Sequence, residues 1–165
     1  MKVKIIGIDP GLAATGIGII TGAKGKVQSY AFGAVHTRAN RIVAERLEII
    51  HSRLSALFAE ERPDLIIVED VFSLDRYPTS GIILGKVSGV ILLAGKQSGS
   101  AMMEIPVREA KQILTGSGKA GKEQLEMAVR RMLGCAEPIR PFHASDALGL
   151  ALIGLFRYVE PRRKK

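Results

Sequence analysis

The chain has 165 residues, 47% of them hydrophobic, which suits one domain with a sizeable core and excludes a disordered chain. The net charge of +8 favours polyanionic partners, nucleic acid foremost. The lone Cys135 excludes an intrachain disulfide, no apolar run reaches the roughly 18 residues that cross a membrane, and Asp9 and Pro10 end the first run too early for a signal peptide, so the expected location is cytoplasmic, with no membrane partner.

Gly-rich apolar runs at 3–9 and 14–21 flank a turn, and "KVQSYAFGAVHT" continues as a third strand, so the chain opens as an antiparallel meander. From 38 to 61, apolar residues fall at Val43, Leu47, Ile50, Leu54 and Leu57, a spacing that predicts a helix with one apolar stripe. Pro63 stops it, and "DLIIVED" follows as a fourth strand. A second helix is predicted over 79–98 and a fifth strand at "AMMEIP". Two short helices, 107–114 and 121–133, flank a Gly/Lys-rich turn. The last helix begins near His143, is apolar on nearly every side, and should therefore be buried. This order predicts an α/β fold, a mixed five-stranded sheet flanked by helices, in one domain over 1–159 with a basic tail at 160–165.

Acids stand at the ends of three of these elements. Asp9 closes strand one, Glu69 follows "LIIV", and "HASDALGLAL" opens the last helix with His143 and Asp146, three apart and so on one helical face. If strands one and four are parallel neighbours, their carboxyl ends bring Asp9 and Glu69 together, at the edge where α/β sheets hold ligands. Crowded carboxylates repel unless a cation joins them. Oxygen ligands with one imidazole suit Mg²⁺ or Mn²⁺, and two such ions can activate water and stabilise a leaving oxygen in phosphodiester cleavage. Each residue also has a plainer reading. Asp9 can be a turn former, and His143 or Asp146 alone reads first as a helix-start residue. Glu69 is harder to dismiss, since an apolar strand precedes it directly, whereas Asp70 and Asp75 read as solvated.

"GSGKAGKE", residues 116–123, fits G-x-x-x-x-G-K but ends in Glu123 where a phosphate-binding loop needs Ser or Thr, and it follows a helical pattern rather than a strand. The nucleotide reading is rejected. What remains is a turn whose Lys119 and Lys122 suit backbone phosphates. Gly81, Gly85 and Gly89 recur every four residues on one face of the second helix, beside Ser88. Each glycine costs about 1 kcal/mol in a helix interior, so a close approach must compensate, either by a second subunit or by the chain's own sheet.

Four motifs in order, "GIDPGLAATGIGII", "VEDVF", "AKQILTGSGKAGKEQ" and "HASDALGLAL", resemble those of the RuvC family of Holliday junction resolvases in the RNase H-like superfamily, nearly end to end. The resemblance implies an RNase H-like fold. It also implies an endonuclease that resolves four-way DNA junctions by paired, metal-dependent cleavage in recombination and repair. It assigns metal binding and catalysis to Asp9, Glu69 and Asp146, with His143 at a place where the family often carries aspartate. The implied cofactor is Mg²⁺, two ions per site, with Mn²⁺ able to substitute. Lys111, Lys119 and Lys122 would contact DNA phosphates and Phe72 would stack on opened bases, although a lone Phe after a strand otherwise reads as core. A homodimer, matching the symmetry of a four-way junction, and a branch-migration helicase of the RuvA and RuvB type are the implied partners.

Three rivals compete with this reading. Another RNase H-like nuclease would share Asp9 without needing the dimer or Phe72. An actin-like sugar or acetate kinase opens with a similar loop but needs a second domain to enclose ATP. A non-catalytic junction-binding module would not need a coherent acidic set.

Overall fold

A computed structural model describes residues 1–70 and 78–158. Phe72, Asp75 and the basic tail at 160–165 lie outside the described residues. Three strands come first: β1 (Val3–Asp9), β2 (Ala14–Ala23) and β3 (Lys26–His36). Then follow α1 (Val43–Glu61), β4 (Leu65–Asp70), α2 (Pro78–Gln97), β5 (Ala101–Pro106), α3 (Val107–Thr115), α4 (Lys122–Leu133) and α5 (Phe142–Arg157). The strands form one sheet in the order β3-β2-β1-β4-β5. β1, β2 and β3 pair antiparallel, while β1, β4 and β5 run parallel. The expected mixed sheet, with strands one and four side by side, is what the chain forms.

Alternation along the strands divides the core in two. Ile6 and Ile8 of β1 and Ile66 and Val68 of β4 face one way, into a core closed by Ile50, Leu54 and Phe58 of α1 and Val87, Ile91 and Ala94 of α2. Val3 and Ile5 of β1 and Leu65 and Ile67 of β4 face the other way, into a core closed by α3, α4 and α5. α5 is buried almost throughout Ala144–Leu155, as its all-round apolar pattern requires.

Two details differ from the sequence reading. α1 starts at Val43, not near 38, because the chain first turns (Arg41 N–H donates to the Arg38 carbonyl, 3.2 Å) and Ile42 is extended. Its stripe also ends on Phe58, with Leu57 only partly buried. Second, Thr79–Gln97 is long and apolar enough to cross a membrane by length and composition, and only 22% of that stretch is buried. Counting unbroken apolar residues stops at Lys86, and so missed it. Its inner face nevertheless belongs to the core, while Ile82 and Leu93 are exposed.

Candidate active site

The same alternation aims the acids. In β1, Asp9 follows Val3, Ile5 and Gly7 on the α5 side of the sheet, and in β4 Glu69 follows Leu65 and Ile67 on that side. Ile8 pairs with Val68 in parallel register, so the next residues, Asp9 and Glu69, emerge together at the carboxyl ends. Asp70 falls on the opposite face by the same count.

α5 can reach this edge because the sheet beneath it is bare. A Cβ on Gly16 would lie 2.0 Å from the His143 carbonyl oxygen, and one on Gly7 would lie 1.9 Å from that of Ala147. Glycine inside a strand here marks a close backbone approach. It lowers the first turn of α5 onto β2, directly opposite Asp9, whose partner in the β1–β2 ladder is Gly16.

The approach brings His143 Nδ1 to 2.5 Å from Asp9 Oδ2. Asp9 is buried, with 6% of its surface exposed, and His143 is partly buried. The hydrogen bond to Asp9 holds the His143 pKa above its ordinary value, against the opposing effect of burial. Burial, and then the negative charges of Asp9 and Asp146, push Glu69 up to about 8. Burial, and then Asp9, push Asp146 up to about 6. Asp9, Glu69 and Asp146 therefore feel one another's charge, as the sequence reading expected of a single cluster.

The donor set fits a hard divalent cation. Asp146 Oδ1 is buried with no hydrogen-bond partner among the described residues, and Glu69 takes up a proton rather than hold an uncompensated charge. Oxygen donors with one imidazole match the preference of Mg²⁺ or Mn²⁺. Among the described residues, no three His, Cys, Asp or Glu side chains already converge closely enough to hold an ion together. Asp9 is instead engaged with His143. The expected four-residue ligand set is thus gathered at one edge but not closed.

Lys111, half-buried on α3, and Lys122, exposed at the start of α4, both act electrostatically on Asp146, and Lys111 also acts on Glu69. Lys119 is exposed in the intervening turn, which follows α3 rather than a strand, consistent with rejecting a nucleotide loop. Phe72 lies outside the described residues. Among the described residues nothing lies within 4 Å of a Cβ added to Gly85 or Gly89 of α2, so packing on the chain's own sheet does not account for them. Gly81 is half-exposed on the same helix.

Supporting residues went unread in the sequence. Glu126 of α4 is buried, accepts a hydrogen bond from the Ile139 N–H (2.9 Å) and lies 3.2 Å from Arg130 Nε, fixing the segment that leads into α5. The i,i+4 spacing of Glu126 and Arg130 was the available signal, but it reads equally as a solvated pair. The turn after Asp9 is pinned as well. Thr37 Oγ1 donates to the Leu12 carbonyl, Arg46 Nε donates to Thr37 Oγ1 (2.7 Å), and Thr15 Oγ1 donates to the Gly11 carbonyl (2.8 Å).

The profile of the family described as crossover junction endodeoxyribonuclease RuvC matches residues 5–154. A crossover junction endodeoxyribonuclease RuvC from Prosthecochloris aestuarii is 37% identical over 151 residues, covering 92% of this chain and 80% of that protein. Thermus thermophilus RuvC in complex with Holliday junction substrate superposes with a TM-score of 0.84 at 31% identity, over 93% of each chain. The yeast mitochondrial Holliday junction resolvase Ydc2 shares the fold, with a TM-score of 0.62 at 8% identity over 92% of this chain and 78% of that one.

Proposed function

The chain belongs to the RuvC family of crossover junction endodeoxyribonucleases, and on that premise we propose that it cuts four-way DNA junctions with Mg²⁺ held by Asp9, Glu69 and Asp146, His143 completing the set. The fold is RNase H-like and the activity is that of a metal-dependent nuclease in recombination and repair. One observation carries the residue assignment: burial first, and then the negative charges of Asp9 and Asp146, hold Glu69 near pKa 8 at an edge where carboxylates from β1, β4 and α5 meet. Burying a carboxyl beside two others works against stability, and a divalent cation would offset both the burial and the repulsion.

When bound, the ions would activate water and steady the charge on the leaving oxygen. The chain's own groups do the rest. Asp9, Glu69 and Asp146 supply oxygen donors, and Glu69 gives up its proton to do so. His143 Nδ1 shares a hydrogen bond with Asp9 Oδ2, which orients the carboxylate and gives the site a group that exchanges protons near neutral pH. Lys111, Lys119 and Lys122 offer positive charge to the phosphates beside the cut.

A homodimer supplies two such sites for two matched cuts, one per opposed strand. The stripe of Gly85 and Gly89, uncovered among the described residues, and the exposed Ile82 and Leu93 support α2 as its contact. A branch-migration helicase of the RuvA and RuvB type would deliver the junction. The test incubates protein with a synthetic four-way junction in EDTA and then adds Mg²⁺. Paired cuts that appear only with the metal, and not in linear duplex, are expected. Cutting that persists in EDTA, or equal cutting of linear duplex, would overturn the reading.

A further inference from the structure

On the α1 side of the sheet, the face opposite the one that α3 and α4 cover, a shallow cleft lies between the end of β3 and α1. His36, Thr37, Arg38 and Arg41 form one wall and Glu48, Ser52 and Arg53 of α1 the other. Three arginines here meet one acid. Arg38 and Arg53 make no ion pair among the described residues, and Arg41 reaches only Glu45, at 3.8 Å with both side chains half-exposed. Such a surface pair holds its partners weakly. Only Arg53 lies on α1, and Arg38 and Arg41 reach the cleft from the turn before it, so the positive charge converges from two segments.

The position of the cleft is informative. Thr37, in its wall, hydrogen-bonds to Leu12 and through its N–H to Ala13 (3.1 Å). Leu12 follows Asp9 by three residues, a span of at most about 11 Å even in extended chain. The cleft therefore opens within a few phosphates of the scissile position. Guanidinium forks and hydroxyl donors suit phosphate oxygens, which they bind without reading sequence.

We propose that this cleft is a second backbone-phosphate site, centred on Arg38 and Arg53, that grips the DNA on the opposite flank of the acidic cluster from the α3–α4 lysines. The cut phosphate is then held from both sides, which fixes it over the carboxylates. The proposal rests on the nuclease reading above.

The test measures junction binding by fluorescence anisotropy in EDTA, as a function of KCl, for wild type and for Arg38→Ala/Arg53→Ala. About one unit of salt slope is lost per phosphate contact removed. The double variant should lose a slope of about two, equally on two junctions of unrelated sequence. Combined with Lys119→Ala/Lys122→Ala, the losses should add, because the two sites share no partner. An unchanged slope in the arginine variant would overturn the proposal. Wild-type protein that binds linear duplex as tightly as a junction would instead overturn the functional reading, while the slope would still decide whether the cleft holds phosphate.

Discussion

Glu69 ties the site's chemistry to its stability. Its carboxyl titrates at about 8 in the folded protein against an ordinary value of 4.5, so over that window the native state binds more protons than the unfolded chain. Stability without metal is then full below the window and lost as pH rises through it. Asp146 adds a smaller loss between 3.8 and about 6. Glu69→Gln should therefore raise the melting temperature of metal-free protein above pH 8, by about 2–4 °C per kcal/mol recovered, while lowering junction cleavage by several orders of magnitude. A lower melting temperature there would make Glu69 a structural residue. His143→Ala should also impair cleavage strongly, and His143→Asp should restore part of it; cleavage at the wild-type rate by the alanine variant would contradict its role. Because Asp9 raises the His143 pKa, and a ligating imidazole must be neutral, the acid limb of the rate profile should lie above 6.5. Asp9 and Glu69 were legible in the sequence because each stands at the end of a continuous apolar run. The His143–Asp9 bond was not, since it depends on how a helix docks 134 residues later.

That docking is decided by α5 and the strands beneath it. In Gly16→Ala, the new Cβ would meet backbone, the His143 carbonyl at 2.0 Å, so the first turn of α5 must lift. Overpacking of this kind costs about 1–3 kcal/mol, and it separates His143 and Asp146 from Asp9. Cleavage in Gly16→Ala should fall at least a hundredfold at a temperature where circular dichroism shows the protein folded and junction affinity is kept; near-normal cleavage would show that the close approach is dispensable. α2 offers the complementary case. Among the described residues nothing lies within 4 Å of a Cβ on Gly85, so Gly85→Leu meets no clash at that atom and improves helix propensity by roughly 1 kcal/mol. Sedimentation should find wild type dimeric at micromolar concentration and Gly85→Leu monomeric with an undiminished melting temperature. A variant that remains dimeric would remove α2 from the interface. The glycine spacing was visible in the sequence, but its direction was not, because a helical stripe alone does not say which neighbour it faces.

At the scale of the whole molecule, the sheet order follows from short connections in β1–β3 and helical crossovers through α1 and α2, which is why the mixed sheet was readable from element order alone. The start of α1 was less readable, because the turn before it is held by backbone hydrogen bonds that leave no apolar pattern. The net charge of +8 announced a polyanion but not its path across the surface, which depends on where Lys111, Lys122 and the Arg38–Arg53 cleft fall around the acids. On the proposed function, Asp9, Glu69 and Asp146 form one cation site in which protons stand in for the metal. That central claim is tested most directly by calorimetric titration of Mg²⁺ into the metal-free protein at pH 7, in buffers of different ionisation enthalpy, which counts the protons released. Glu69, titrating at about 8, enters mostly protonated and must ionise to bind metal. The account predicts release of about one proton per site in wild type and a clearly smaller release in Glu69→Gln. Mg²⁺ binding with no proton release, or with the same release in both proteins, would contradict it.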